Sequence, residues 1–418
     1  MTAEYEKSAL PQRSEFFSKA KVAVSRTGGV PTQIRTRKAV RIALIVFSVL
    51  LAVITVVVGI LAVVSSGTPK PFLDKSGKVI AGSISEKIFV NINGVKQGMF
   101  LKGKNKNNPV LLFLHGGPGM PEYTFFEQYC PQIENSFTVC YWEQRGSGLS
   151  YRDDTPVGSE TTEQLISDTL SVTNYLRNRF GQQKIYLMGH SWGTYLGIQA
   201  ASRAPQLYQA YIGVGQISQQ RESELQAYQY MLAQYRADGN KAMVKKLGAY
   251  PVTESDTALH AYLKSSLRDD AMHRLGIGTM HEMHSVITGI FFQVMASRAY
   301  TLREKINIWR GKAFLNHSTD LQNQELSADL TGKVPKLLVP AYFISGTYDY
   351  TVSCQLAESY FTKLQAPIKG FYLFQNSAHS PMFEEPDKFM HIMKADVLTG
   401  KVSLADKGLA SAALHQAS

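Results

Sequence analysis

Cysteine is scarce in this chain: three residues in 418, at Cys130, Cys140 and Cys354. None lies in a C-x-x-C motif or joins a histidine cluster, so the sequence offers no metal site. A Cys130–Cys140 disulfide stays open as an alternative to two buried free thiols, which are ordinary in cores. Internal repeats are missing too, which leaves no basis for a solenoid or propeller. Acidic residues are outnumbered, 33 against 44 basic ones, for a net charge of +11. That surplus is uneven. Before residue 42 stand Lys7, Arg13, Lys19, Lys21, Arg26, Arg35, Arg37, Lys38 and Arg41, against Glu4, Glu6 and Glu15 only. The charge is partly a tail property, and no nucleic-acid partner is expected from it.

An uncharged apolar run, Ile42–Val64, comes directly after the tail. At 1.5 Å per residue it spans a hydrocarbon core of about 30 Å. A soluble helix of that length ordinarily keeps a polar face, and a signal peptide has an apolar region of about 7–15 residues. An uncleaved single-pass anchor is therefore expected. The basic cluster Arg35, Arg37, Lys38 and Arg41 precedes it and holds residues 1–41, read as disordered, in the cytoplasm. Everything after the anchor is then extracytoplasmic, on the outer side of the cell membrane.

From about Gly82 onward the pattern changes to short strands. Lys87–Ile92 and Val95–Lys102 flank Asn93-Gly94, a hairpin signal. Pro109–Leu114 and Phe137–Trp142 are continuous apolar runs of buried-strand character. Thr161–Phe180 has helical periodicity, and Tyr211–Val214 is another strand. Residues 218–335 then carry helical character without strands, and strands return at Ala341–Ile344 and Gly370–Phe374. The pattern predicts one α/β domain, residues 80–217 and 336–400, interrupted by a helical cap at 218–335. The tail 401–418 is expected to fray.

Lys184–Gly193 carries the chemistry. The strand-like Ile185–Met188 runs into Gly189-His190-Ser191-Trp192-Gly193, and a helix-like segment comes next. This is the context of a nucleophile elbow, with glycines where a Cβ would clash and Ser191 lifted clear of the sheet. An activated serine needs a base and an orienting acid, in the chain order Ser, acid, His. Asp349 stands after the strand Ala341–Ile344, and His379 after Gly370–Phe374. Both lie where loops gather at the carboxyl ends of an open α/β sheet. Asp320 and Glu384 are the weaker rivals for the acid. Oxyanion donors are expected from the backbone N–H of Trp192, after the nucleophile, and of Gly117, in the His115-Gly116-Gly117-Pro118-Gly119 loop.

The His115–Gly119 motif, the run Glu143–Ser150 and the Ser191 elbow together resemble the proline iminopeptidase family of α/β-hydrolase peptidases. The resemblance covers roughly residues 80–215 and 336–395. It implies an α/β-hydrolase fold, a mostly parallel sheet flanked by helices with an inserted cap. It also implies Ser191, Asp349 and His379 as the catalytic set, and no metal or other cofactor. The implied activity is release of an N-terminal residue, typically proline, from a short peptide. The Glu143 position is usually Asp in that family. Arg145 is expected to organise the loop beneath the site or to serve as an ion-pair partner. Family members hold the substrate's α-ammonium with cap glutamates. Glu282 matches the first by position, and the basic, aromatic segment Ile308–Phe314 supplies no second. An esterase or amidase of small acyl substrates is the nearest alternative, and a non-catalytic binding module a more distant one. Dehalogenase and epoxide hydrolase chemistry fails because the elbow carries Ser where they need Asp.

Overall fold

The computed structural model describes residues 32–155 and 158–406. The chain divides between Val58 and Gly59 into two units, which are taken separately. Helix α1 is Thr32–Val63, and its stretch Arg37–Val63 is long and apolar enough to cross a membrane. Side chains from Val40 to Ile60 are exposed along it. The helix begins ten residues before the expected span. Arg37, Lys38 and Arg41 therefore lie on its opening turns, not in a disordered segment, and residues 1–31 lie outside the described residues. Lys and Arg are good helix formers, so a basic flank continues an apolar helix instead of ending it.

The second unit is built on an eight-stranded sheet in the order β1-β2-β4-β3-β5-β6-β7-β8. The strands are β1 Ile84–Ile92, β2 Val95–Gly103, β3 Val110–Leu114, β4 Thr138–Trp142, β5 Ile185–His190, β6 Tyr208–Val214, β7 Ala341–Gly346 and β8 Lys369–Phe374. β1 and β2 form the expected hairpin, with Asn93 at φ 48° and Gly94 at φ 80° as its left-handed turn. β2 pairs antiparallel with β4, and every pairing from β4 to β8 is parallel.

β3 and β5 are buried at every position because helices cover both faces. The alternation of side chains sends Leu112, Leu114 and Leu187 to one apolar layer. Leu111, Phe113 and Met188 go to the other. Helix α2, Thr162–Phe180, is capped by the Thr161 hydroxyl, which accepts from Gln164 N at 3.1 Å, and ends at Gly181 with φ 64°. The elbow helix α3 is Trp192–Arg203.

Between β6 and β7 the described chain is helical, including α4 Gln220–Ala237, α5 Leu267–Arg274, the turn α6 Ile287–Ala296, α7 Leu302–His317 and α8 Leu321–Leu326. This segment has its own apolar cluster around Tyr228, Met231, Tyr262 and Met272. All three cysteines are free, so Cys130 and Cys140 are buried thiols and not a disulfide. The C-terminal segment is ordered further than expected. Asp406 N donates to Phe371 O at 2.9 Å and its carboxylate accepts Leu373 N at 2.6 Å, covering the edge of β8. Residues 407–418, the rest of the segment expected to fray, lie outside the described residues.

Candidate active site

The elbow forms where β5 hands over to α3. Ser191 has φ 54° and ψ −124°, a strained conformation for a residue with a Cβ. The crowding explains both flanking glycines. A Cβ on Gly189 would run into the Gly193 carbonyl, and one on Gly193 into the Leu114 carbonyl. Ser191 N donates to Val214 O at 3.0 Å, which ties the elbow to the end of β6. Trp192 is the first residue of α3, a position whose N–H has no intrahelical acceptor.

Asp349 and His379 come together as their strand ends suggested. His379 Nδ1 and Asp349 Oδ2 are 2.8 Å apart, and both side chains are buried. Asp349 Oδ1 accepts Val352 N at 2.9 Å, which leaves the carboxylate little freedom. His379 Nε2 is buried without a hydrogen-bond partner among the described residues. The rivals stand elsewhere. Asp320 lines a separate surface cleft. Glu384 accepts backbone N–H groups from Ala378 at 3.0 Å and His281 at 2.6 Å. Burial pushes the Glu384 carboxyl up to about 7 against those hydrogen bonds. It ties the His379 loop to the cap and does not orient the imidazole.

The loop after β3 lies across from the serine. A Cβ on Gly116 would sit 3.2 Å from Ser191 Cβ and 2.9 Å from Glu122 Oε1. Gly117 has φ 126°, a region closed to other residues, and its N–H has no acceptor among the described residues. Gln144 holds the loop: its Nε2 donates to His115 O at 2.9 Å and its Oε1 accepts Trp192 Nε1 at 3.0 Å. Burial pushes His115 down to about 4, so it is neutral, and its Nε2 accepts Gln144 N at 3.1 Å. Gly116, Gly117, Ser191 and His379 line one cavity of about 440 Å³. Arg145, in the turn after β4, makes a buried two-pronged pair with Asp168, at 2.7 and 3.0 Å.

Three residues of this site were missed in the sequence. Glu122 is buried. It accepts Gly116 N at 3.0 Å, and its two oxygens face His190 Nδ1 at 2.9 and 3.0 Å. His190 Nε2 in turn faces the His379 carbonyl at 2.9 Å. Both imidazole nitrogens thus meet acceptors, and only the doubly protonated ring donates to both. Burial alone would lower the His190 pKa, but the Glu122 carboxylate and the His379 carbonyl raise it on balance. The third is Gly215, at φ 58°, where a Cβ would lie 2.8 Å from His379 Cε1. A glycine after a strand is too common to signal such a contact.

The cap wall departs from expectation. Glu282 is exposed and lines a different cavity, with Met283 and Glu384, apart from the one that Ser191 lines. The acids on the Ser191 cavity are instead Glu122, Glu224, Asp269 and Glu325. Glu224 takes two hydrogen bonds from Arg268, at 2.7 and 2.6 Å, and Asp269 takes a third at 3.0 Å. Glu325, on α8, is buried and makes no side-chain hydrogen bond among the described residues. Burial, helped by the Glu224 charge and opposed by Arg268, pushes its carboxyl up to about 8. No periodicity in the sequence distinguishes a cap carboxylate facing the sheet from one facing water.

An elbow at the end of β5, an acid after β7 and a histidine after β8, on a mixed sheet under a helical cap, define an α/β hydrolase. The chain belongs to the α/β hydrolase fold family, which it matches over residues 109–386. It is 32% identical to a probable aminopeptidase of Bacillus subtilis over 311 residues, 73% of this chain and 93% of the relative. It is 26% identical to the proline iminopeptidase of Saccharolobus solfataricus, covering 70% and 85% of the two chains. The crystal structure of a proline iminopeptidase-related protein from Thermus thermophilus shares the fold at 20% identity, with a TM-score of 0.54 over 75% of this chain and 98% of that one.

Proposed function

We propose that the protein is a serine hydrolase that releases N-terminal residues, proline foremost, from short peptides. The observation that carries this reading is His379. Its Nδ1 is held by Asp349, and its Nε2 is unpartnered in the cavity that Ser191 and Gly117 also line. In this reading Ser191 Oγ attacks the carbonyl carbon of the N-terminal residue while His379 Nε2 takes its proton. The Gly117 and Trp192 N–H groups receive the oxyanion. His379 then protonates the departing amine, which leaves with the rest of the peptide. A water attacks the acyl-enzyme by the same proton route and frees Ser191.

The amine of the substrate enters a cavity with one unpaired carboxyl, Glu325, beside the Glu224–Arg268 pair. Glu325 takes the position for which Glu282 was expected, since a carboxylate that is hard to ionise alone gains most from an arriving ammonium. The relatives named as an aminopeptidase and a proline iminopeptidase support this reading. Arg268 favours the alternative, an esterase or amidase of small acyl substrates, because it already neutralises two of the cavity acids.

Two measurements test the reading. Ser191→Ala is expected to abolish labelling by a fluorophosphonate, and persistent labelling would remove Ser191 from its role. Proline β-naphthylamide is expected to be cleaved at least tenfold faster than its N-acetyl derivative, a loss of roughly 1.4 kcal/mol or more without the ammonium. Equal rates would favour the esterase.

We also propose that α1 anchors the protein in the cell membrane by a single pass, with the hydrolase unit outside the cytoplasm. The length and apolarity of Arg37–Val63 support it, as do the basic residues at its N-terminal end.

A further inference from the structure

The cap carries an apolar turn that the hydrolase reaction does not use. In α6, Ile287 and Phe292 are 62% and 56% exposed, and Phe291 is 38% exposed and leans on Trp309 at 5.4 Å. Scattered single apolar residues need no explanation, but three large ones on a ten-residue turn do.

The chain that leaves α1 is fastened to the C-terminal end of this same turn. Gly67 N and Thr68 N donate to the Arg298 carbonyl at 3.0 and 3.2 Å, and the Ser66 hydroxyl donates to it at 3.0 Å. The buried Lys305 ammonium donates to Ser65 Oγ and to Met295 O, each at 2.7 Å. A Cβ on Gly67 would come within 2.6 Å of Thr301 Cγ2, so the segment is seated closely.

Chain lengths then bound how far the turn lies from Val63. Val63 ends α1 and Ser65 is already fastened, a reach of about 7 Å at most. Ala296 ends α6 two residues before Arg298, and the turn itself is about 15 Å long. Interfacial helices sit about 5–10 Å deep at the boundary of headgroups and acyl chains, with cations facing the phosphates. Arg298 and Arg303 are exposed next to the turn and supply those cations.

We propose that Ile287–Ala296 is a second membrane contact, with Ile287, Phe291 and Phe292 inserted into the lipid interface. The proposal rests on the reading of α1 as a membrane anchor. It has a consequence for the site: Val286 and Ile287 line a cap cavity of about 810 Å³. Ser265, Ser266 and Asp269 border both that cavity and the one at Ser191. Substrate access from the cap side then starts at the lipid surface.

The test uses the full chain in phosphatidylcholine–phosphatidylglycerol nanodiscs. Spin labels are placed singly at Ile287→Cys, Phe292→Cys and Leu338→Cys in a Cys354→Ser background. Leu338 is 64% exposed and precedes β7, at the end of the sheet opposite the site. Labels at 287 and 292 are expected to be more accessible to oxygen than to a water-soluble nickel chelate, and the label at 338 the reverse. A second readout needs no substitution in the turn. Trp142 and Trp192 are buried in the core, so quenching of tryptophan fluorescence by brominated lipid reports on Trp309. Quenching is expected. Labels at 287 and 292 that behave like the one at 338, with unquenched fluorescence, would overturn the contact and leave the anchor intact. Release of the wild-type protein from membranes by alkaline carbonate would overturn the anchor and the contact together.

Discussion

His190 shows how one residue in a motif serves a purpose the motif does not announce. Its ring bridges Glu122 and the His379 carbonyl, and its centroid lies 4.7 Å from that of His379. Its hydrogen bonds go to Glu122 and to the His379 carbonyl and none goes to Ser191, so it is a positioning residue. Breaking a buried ion pair by removing one partner costs roughly 3–5 kcal/mol. His190→Gln is therefore expected to lower Tm and kcat together, with KM little changed, as measured by thermal melts and steady-state kinetics. The folded pKa of His190 is raised, so the stability it contributes is complete below about pH 6.5 and is lost as pH rises through the folded value. Glu325 has the same sign for a different reason. Burial raises its carboxyl from 4.5 to about 8, so the folded state binds the extra proton in that window and loses stability as pH climbs through it. Glu325→Gln is expected to melt higher than wild type at pH 9 and close to it at pH 4.5. Equal melting curves at pH 9 would mean that the carboxyl is not desolvated.

At the scale of elements, the site is assembled from strand ends. β5, β7 and β8 are parallel, so the turns after them reach the same edge of the sheet and deliver Ser191, Asp349 and His379 there. The turn after β6 passes beneath them, which is why Gly215 is bare. Gly215→Val adds bulk against the His379 ring at a positive φ. It is expected to reduce kcat at least a hundredfold while fluorophosphonate labelling slows in proportion, since both depend on the placement of the imidazole. The strands and helices of this core were legible in the sequence. The apolar runs at Val110–Leu114 and Ile185–Met188, the Asn93-Gly94 turn and the Thr161 cap each state a local preference that the fold obeys. The start of α1 was not, because charge marks a membrane boundary but does not end a helix.

On the scale of the whole molecule, an N-terminal apolar helix precedes a hydrolase unit whose cap carries both the exposed turn Ile287–Ala296 and carboxylates that line the cavity at Ser191. These two faces of one segment join a proposed lipid contact to a proposed peptide site.

By itself the sequence determined the sheet, the elbow and the order of Ser191, Asp349 and His379, because those depend on local periodicity, glycine sterics and position after a strand. It also marked the apolar helix, since an uncharged run of that length is legible without any partner. The tertiary structure decided which cap acids line the cavity, Glu224, Asp269 and Glu325 and not Glu282, and joined Glu122 to His190 across 68 positions. Those choices turn on which side of a helix faces the sheet and on how far burial shifts a charge, and neither is set by neighbours along the chain.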